Sequence, residues 1–151
     1  MRYLNLLAIF LIVLSLASAA VDFNNLQDSV NRYNNKIDQA PAVLKAFMGN
    51  ERLNMTILRN NSSIVVWGLE TENARIVRYR LGGLENPTIE EYAAESAVNE
   101  VLNAEDPVAV FHKAEKAGQI SVEGKTPTAK IKVMAMLSDG EAIKYYFGMF
   151  S

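Results

Sequence analysis

Residues 52–58 alternate, with Leu53, Met55 and Ile57 apolar against Arg52, Asn54 and Thr56 polar. A period of two places successive side chains on opposite faces of a strand, so this stretch predicts a half-covered β-strand. A polar turn follows at Arg59 to Ser62, and then a β-branched and aromatic run at residues 63–71 that holds the sole tryptophan, Trp67. Glu72-Asn73 turns the chain again. Residues 74–81 alternate once more, with Ile76 and Val77 as the inward candidates and Arg75, Arg78 and Arg80 bracketing Tyr79, until Gly82-Gly83 ends the run. Three strands joined by short turns predict an antiparallel meander.

Ahead of the meander the period changes. Phe23, Leu26, Val30, Tyr33 and Ile37 recur every three or four residues, which predicts a helix over residues 21–39. Pro41 interrupts it. Residues 42–48 continue as a short helix with Val43, Leu44 and Phe47 apolar, stopped at Gly49-Asn50.

After the meander, local rules compete. Thr88-Ile89-Glu90-Glu91 matches a capping box and Ala93-Ala94 favours helix, yet Thr88-Ile89 also fits a fourth strand, with a helix from about Glu95 carrying Ala97, Val98, Val101 and Leu102 on one side. The strand is preferred. Asp106-Pro107 places a capping side chain ahead of a first-turn proline and opens a further helix, with Val110, Phe111, Ala114 and Ala117 facing inward. Thr126-Pro127 repeats that signal. It decides for helix over residues 128–137 although Lys130 to Val133 alternate, and it sets Ile131, Val133, Met134, Met136 and Leu137 on a broad apolar face. Asp139-Gly140 breaks the pattern before an aromatic-rich segment at residues 141–150.

Between the last two helices lies Gly118-Gln-Ile-Ser-Val-Glu-Gly-Lys-Thr126, which ends like a phosphate-binding loop. That loop needs four residues between its first glycine and the Gly-Lys pair so that backbone N–H groups can curl around phosphate, and here there are five. The intervening residues alternate as a strand, so no nucleotide is expected.

The N-terminus bears on compartment. Met1-Arg2-Tyr3 is a short positive start, residues 4–16 are apolar apart from Asn5 and Ser15, and Ala17-Ser-Ala-Ala20 offers small residues for cleavage. An apolar run of roughly a dozen residues is short of the roughly twenty that span hydrocarbon. It predicts a secretory signal peptide over residues 1–20, cleaved after Ala19 or Ala20, with an uncleaved membrane anchor as the alternative. The chain is then secreted or extracytoplasmic.

Composition narrows the chemistry further. The formal charge of −2 becomes −3 without Arg2, and no stripe of Lys and Arg is present, so nucleic acid is not an expected partner. The chain has no cysteine, which leaves burial rather than disulfides to stabilise it. His112 is the one histidine, so neither a metal site nor a serine triad is expected, and no catalytic residue or cofactor is assigned. Glu90, Glu91 and Glu95 lack a spaced partner and read as a solvated helix or strand face. Arg75, Arg78 and Arg80 read as a solubilising face in preference to an anionic head-group patch. Sequons stand at Asn54, Asn60 and Asn61, the latter two in a turn that suits glycosylation and Asn54 within a strand that does not.

The order of elements, and above all residues 86–137 with a strand-to-helix step at Thr88 to Leu102, a second helix, a short strand ending at Glu123-Gly124 and an apolar helix, resembles the sterol-carrier-protein-2 (SCP2) sterol-binding family. The resemblance covers roughly residues 41–137. It implies an α+β fold, a mixed five-stranded sheet with the meander inside it, packed on one side by helices. In this division residues 21–40 form an N-terminal helix and residues 41–151 the SCP2-like domain with its apolar C-terminal segment. Two features differ from the family pattern: the export signal, and Lys130 and Lys132 on the last apolar helix.

The resemblance further implies a noncatalytic domain that holds an acyl, isoprenoid or sterol-like lipid between sheet and helices, with Phe111, Val133, Met134, Met136, Leu137 and Phe147 as the lining candidates. Methionines and aromatics adapt to irregular cavities, and they equally well fill a core. The alternative is a structural or interaction domain with a closed core, whose C-terminal aromatic segment docks on a protein or a cell-envelope component.

Overall fold

The computed structural model describes residues 23–148, so the predicted signal peptide lies outside the described residues. The leading helix α1 spans Phe23–Lys36 and runs through a 3₁₀ turn, Ile37–Gln39, into α2, Ala42–Met48. The meander follows as β1 (Arg52–Leu58), β2 (Ile64–Glu72) and β3 (Arg75–Leu81). Then come β4 (Ile89–Ala94), α3 (Glu95–Asn103), α4 (Pro107–Lys116), β5 (Ile120–Gly124), α5 (Pro127–Ser138) and α6 (Gly140–Gly148).

The strands form one five-stranded sheet in the order β3-β2-β1-β4-β5. The β1–β4 pair is parallel and the others are antiparallel. The fold is therefore α+β with a mixed sheet. Strand geometry wins over the capping box at Thr88, whose hydroxyl accepts from Arg52 N at 2.9 Å and donates to the Glu51 carboxylate instead of capping a helix.

One face of the sheet is covered by helices. Leu53, Met55 and Ile57 of β1 are buried on that face with Trp67 and Leu69 of β2, Ile76 of β3, Ile89 and Ala93 of β4 and Ile120 of β5. Trp67 is 1% exposed. The inward expectation for Val77 does not hold: the β2–β3 register shifts beside Glu70/Thr71, and Val77 is exposed. A bulge of that kind turns the extra residue out of the alternation.

The open face of the sheet is crossed by the chain itself. To reach β4 from β3 the backbone returns across β2, where a Cβ on Gly68 would lie 2.6 Å from Leu84 Cγ and 2.8 Å from Gly83 C. The Asn54 side chain holds this crossing, accepting from Leu84 N at 2.7 Å and donating to Leu84 O at 3.0 Å.

α1 closes the β3 edge. The Asn34 amide accepts from Ile76 N at 2.8 Å and donates to Ile76 O at 2.9 Å, in place of a neighbouring strand. The arginines on this strand are engaged. Arg75 pairs with Asp38, Arg78 with Glu70 at 2.9 Å, and Arg80 bonds the Gly83 carbonyl.

Candidate functional site

β4 and β5 form the edge of the sheet over which the last three helices fold. β4 alternates from Ile89, which is fully buried, so Glu91 and Ala93 share its covered face while Glu90 and Tyr92 take the other. In the β4–β5 register Glu91 stands opposite Val122 and Ala93 opposite Ile120. Glu91 thus points toward the helices.

The helices are placed by their starts. The Asp106 carboxylate accepts from Ala109 N at 3.1 Å at the head of α4, and Thr126 Oγ1 accepts from Ala129 N at 3.1 Å at the head of α5. Each cap satisfies one of the otherwise unpaired N–H groups of a first helical turn. Gly124 lets α5 descend onto β5, because a Cβ there would sit 2.3 Å from Lys130 N and 2.5 Å from Ala129 C. The Gly-Lys-Thr sequence is therefore a packing glycine, a lysine bridging Glu90 at 2.7 Å and Glu123 at 3.3 Å, and a helix cap.

Between this edge and the helices lies an apolar pocket. Its floor includes Glu91, Ile120 and Val122, and its walls include Phe47 of α2, Phe111 of α4, Val133, Met136 and Leu137 of α5, and Ile143 and Tyr146 of α6. The cavity volume is about 40 Å³, room for roughly three waters.

Of the six lining candidates, Phe111, Val133, Met136 and Leu137 border this pocket. Met134 does not: it is 68% exposed on the opposite side of α5, and Ile131 beside it is 69% exposed. The physical reason is angular, since Ala129, Val133 and Met136 are spaced by four and three residues and make the buried stripe, which leaves Ile131 and Met134 outside it. Phe147 falls on α6, but its side chain lies outside the described residues, as do Met149 and Phe150. Similarly, on α4 Phe111 and Ala114 are buried and Val110 is half-buried, while Ala117, just past the helix end, is exposed.

Lys132 is drawn in by a buried partner. Its ammonium pairs with Glu51, which is 6% exposed, and ties α5 to the start of β1.

The carboxylate run expected to be solvated is split by the sheet. Glu90 pairs with Lys125, and Glu95 accepts from Asn60 N at 2.7 Å. Glu91, half-buried, enters the pocket, where burial raises its carboxyl from 4.5 to about 7. Two phenols respond to it. Tyr33, which donates to Ala74 O at 2.8 Å, and Tyr146 are both held above the usual tyrosine range, first by burial and then by the Glu91 charge. The signal for Glu91 was present in the sequence: once Ile89 is inward, a period of two takes Glu91 inward as well.

His112 lies 3.2 Å from Glu115 on the outer side of α4 and meets Phe111 edge to face. Among the described residues no group of three or more metal-ligating side chains converges, and no helix is long and apolar enough to cross a membrane.

No protein-family model and no curated protein sequence matches the chain. Solved structures do. The SCP2 ubiquinone synthesis protein UbiJ superposes with a TM-score of 0.53 at 10% identity, over 85% of this chain and 98% of its own. The sterol carrier protein domain 2 of Helicoverpa armigera gives 0.49 at 13% identity, over 76% of this chain and 86% of its own. A crystal structure of sterol carrier protein 2 gives 0.48 at 15%, over 76% and 92%. With the sheet order and helix placement above, the chain has an SCP2-like fold.

Proposed function

We propose that this chain is a noncatalytic lipid-holding domain that works outside the cytoplasm. The observation that carries the reading is the apolar pocket between the β4–β5 edge and helices α2, α4, α5 and α6. Apolar cavities with few polar groups favour the transfer of hydrocarbon out of water, and here the lining is largely hydrocarbon, with Glu91, Tyr92, Ser121 and Tyr146 as its polar members and Glu91 the one carboxyl. A solved protein of this fold is named for SCP2 and for ubiquinone synthesis, which agrees with the reading. The export pattern of residues 1–20 supports the compartment.

A lipid needs more room than 40 Å³, since sites for small ligands run to several hundred Å³. Uptake therefore involves an outward shift of the covering helices. The small cavity, together with Ile131 and Met134 exposed side by side, is also what favours the second reading, a closed structural or interaction domain. Native mass spectrometry of the protein purified from its own host, followed by solvent extraction, separates them. A lipid bound one to one is the expected result. An empty protein that takes up neither a fluorescent lipid alcohol nor a fluorescent fatty acid removes the carrier reading.

A further inference from the structure

Glu91 is the part of the pocket that a purely hydrocarbon ligand does not explain. An ionised carboxyl surrounded by apolar walls is unfavourable unless something compensates it. Burial is what raises its pKa, and no opposite charge among the described residues offsets it. The groups coupled to it electrostatically, Tyr33 from α1 and Tyr146 from α6, are phenols rather than cations. Among the described residues no Lys or Arg lines the cavity. Lys125, just past β5, is committed to Glu90 and Glu123, and Lys132 of α5 to Glu51.

Resting on the lipid-holding reading, we propose that the pocket selects an amphiphile whose polar end donates hydrogen bonds, a lipid alcohol or amine, with Glu91 as the acceptor, and that it disfavours free fatty acids. A carboxylate only accepts, and its oxygens have lone pairs for several donors. An alcohol supplies one donor. A primary ammonium supplies three and neutralises the charge as well. A fatty-acid carboxylate supplies none and brings a second negative charge into the same low-dielectric space.

The test uses three ligands of equal chain length, hexadecanol, hexadecylamine and palmitate, competing at pH 8 with a fluorescent lipid alcohol on the delipidated protein. On the wild type, the alcohol and the amine are expected to bind about tenfold or more tightly than palmitate. This ranking needs no variant. Glu91→Gln is expected to bring palmitate to within about threefold of the alcohol and to weaken the amine about tenfold. Palmitate binding as tightly as the other two to the wild type, or a ranking unchanged by Glu91→Gln in a variant with native circular dichroism, overturns the selectivity while leaving the carrier reading intact. Failure of all three ligands and the probe to bind overturns both.

Discussion

Replacing Glu91 with glutamine should change how stability depends on pH. The folded carboxyl titrates at about 7 against 4.5 for the free group, so between those values the folded chain binds a proton that the unfolded chain releases. Stability contributed by the protonated form is full below pH 4.5 and is lost as pH rises through 7. At about 1.36 kcal/mol per pH unit the gap amounts to on the order of 3 kcal/mol. A glutamine amide at this position keeps the shape without the titrating proton. The difference between wild type and Glu91→Gln cancels every other titrating group that the two share. In urea melts at about pH 4.5 and pH 8, the wild type should therefore lose about 3 kcal/mol more than the variant on going to the higher pH. With a typical slope of about 2 kcal/mol per molar urea this is a shift of roughly 1.5 M in relative midpoint. Ligand must be removed first, because a bound amine would pair with the carboxylate and hide the effect. Parallel pH profiles for the two proteins would refute the placement of Glu91 in an apolar, uncompensated setting.

Other expectations concern packing and pairing. Trp67, 1% exposed at the centre of the meander, should cost about 3 to 5 kcal/mol as Trp67→Ala in a denaturant melt. Trp67→Phe should cost less, because Nε1 has no hydrogen-bond partner among the described residues and its loss removes an unsatisfied donor. Equal losses in the two variants would contradict this. Gly124→Ala should destabilise by roughly 1 to 3 kcal/mol, since its Cβ would meet the α5 backbone at 2.3 Å; an unchanged midpoint would mean that α5 does not rest on β5. Lys132→Met strips Glu51 of its charged partner and should cost about 3 kcal/mol at neutral pH. The double variant Lys132→Met with Glu51→Gln should recover part of that loss, and no recovery would argue against the pair.

The sequence by itself determined the local elements. Alternation at Leu53, Met55 and Ile57 marked β1, and Asp106-Pro107 and Thr126-Pro127 marked the starts of α4 and α5, because backbone geometry and the capping of free N–H groups act within a few residues. The order of those elements was also enough to suggest the SCP2-like arrangement that the sheet displays. What only the tertiary structure decided was which neighbour of each pair faces the core. α5 carries more apolar residues than one face can bury, so Met136 borders the pocket and Met134 meets solvent according to where β5 and α2 stand. Glu90 and Glu91 are chemically alike and adjacent. One pairs with Lys125 in water and the other enters an apolar cavity, since strand alternation separates them and the helices cover only one side of the sheet. The identity of the covered face depends on contacts between residues far apart in the chain, and a local pattern can state two faces without naming the one that is buried.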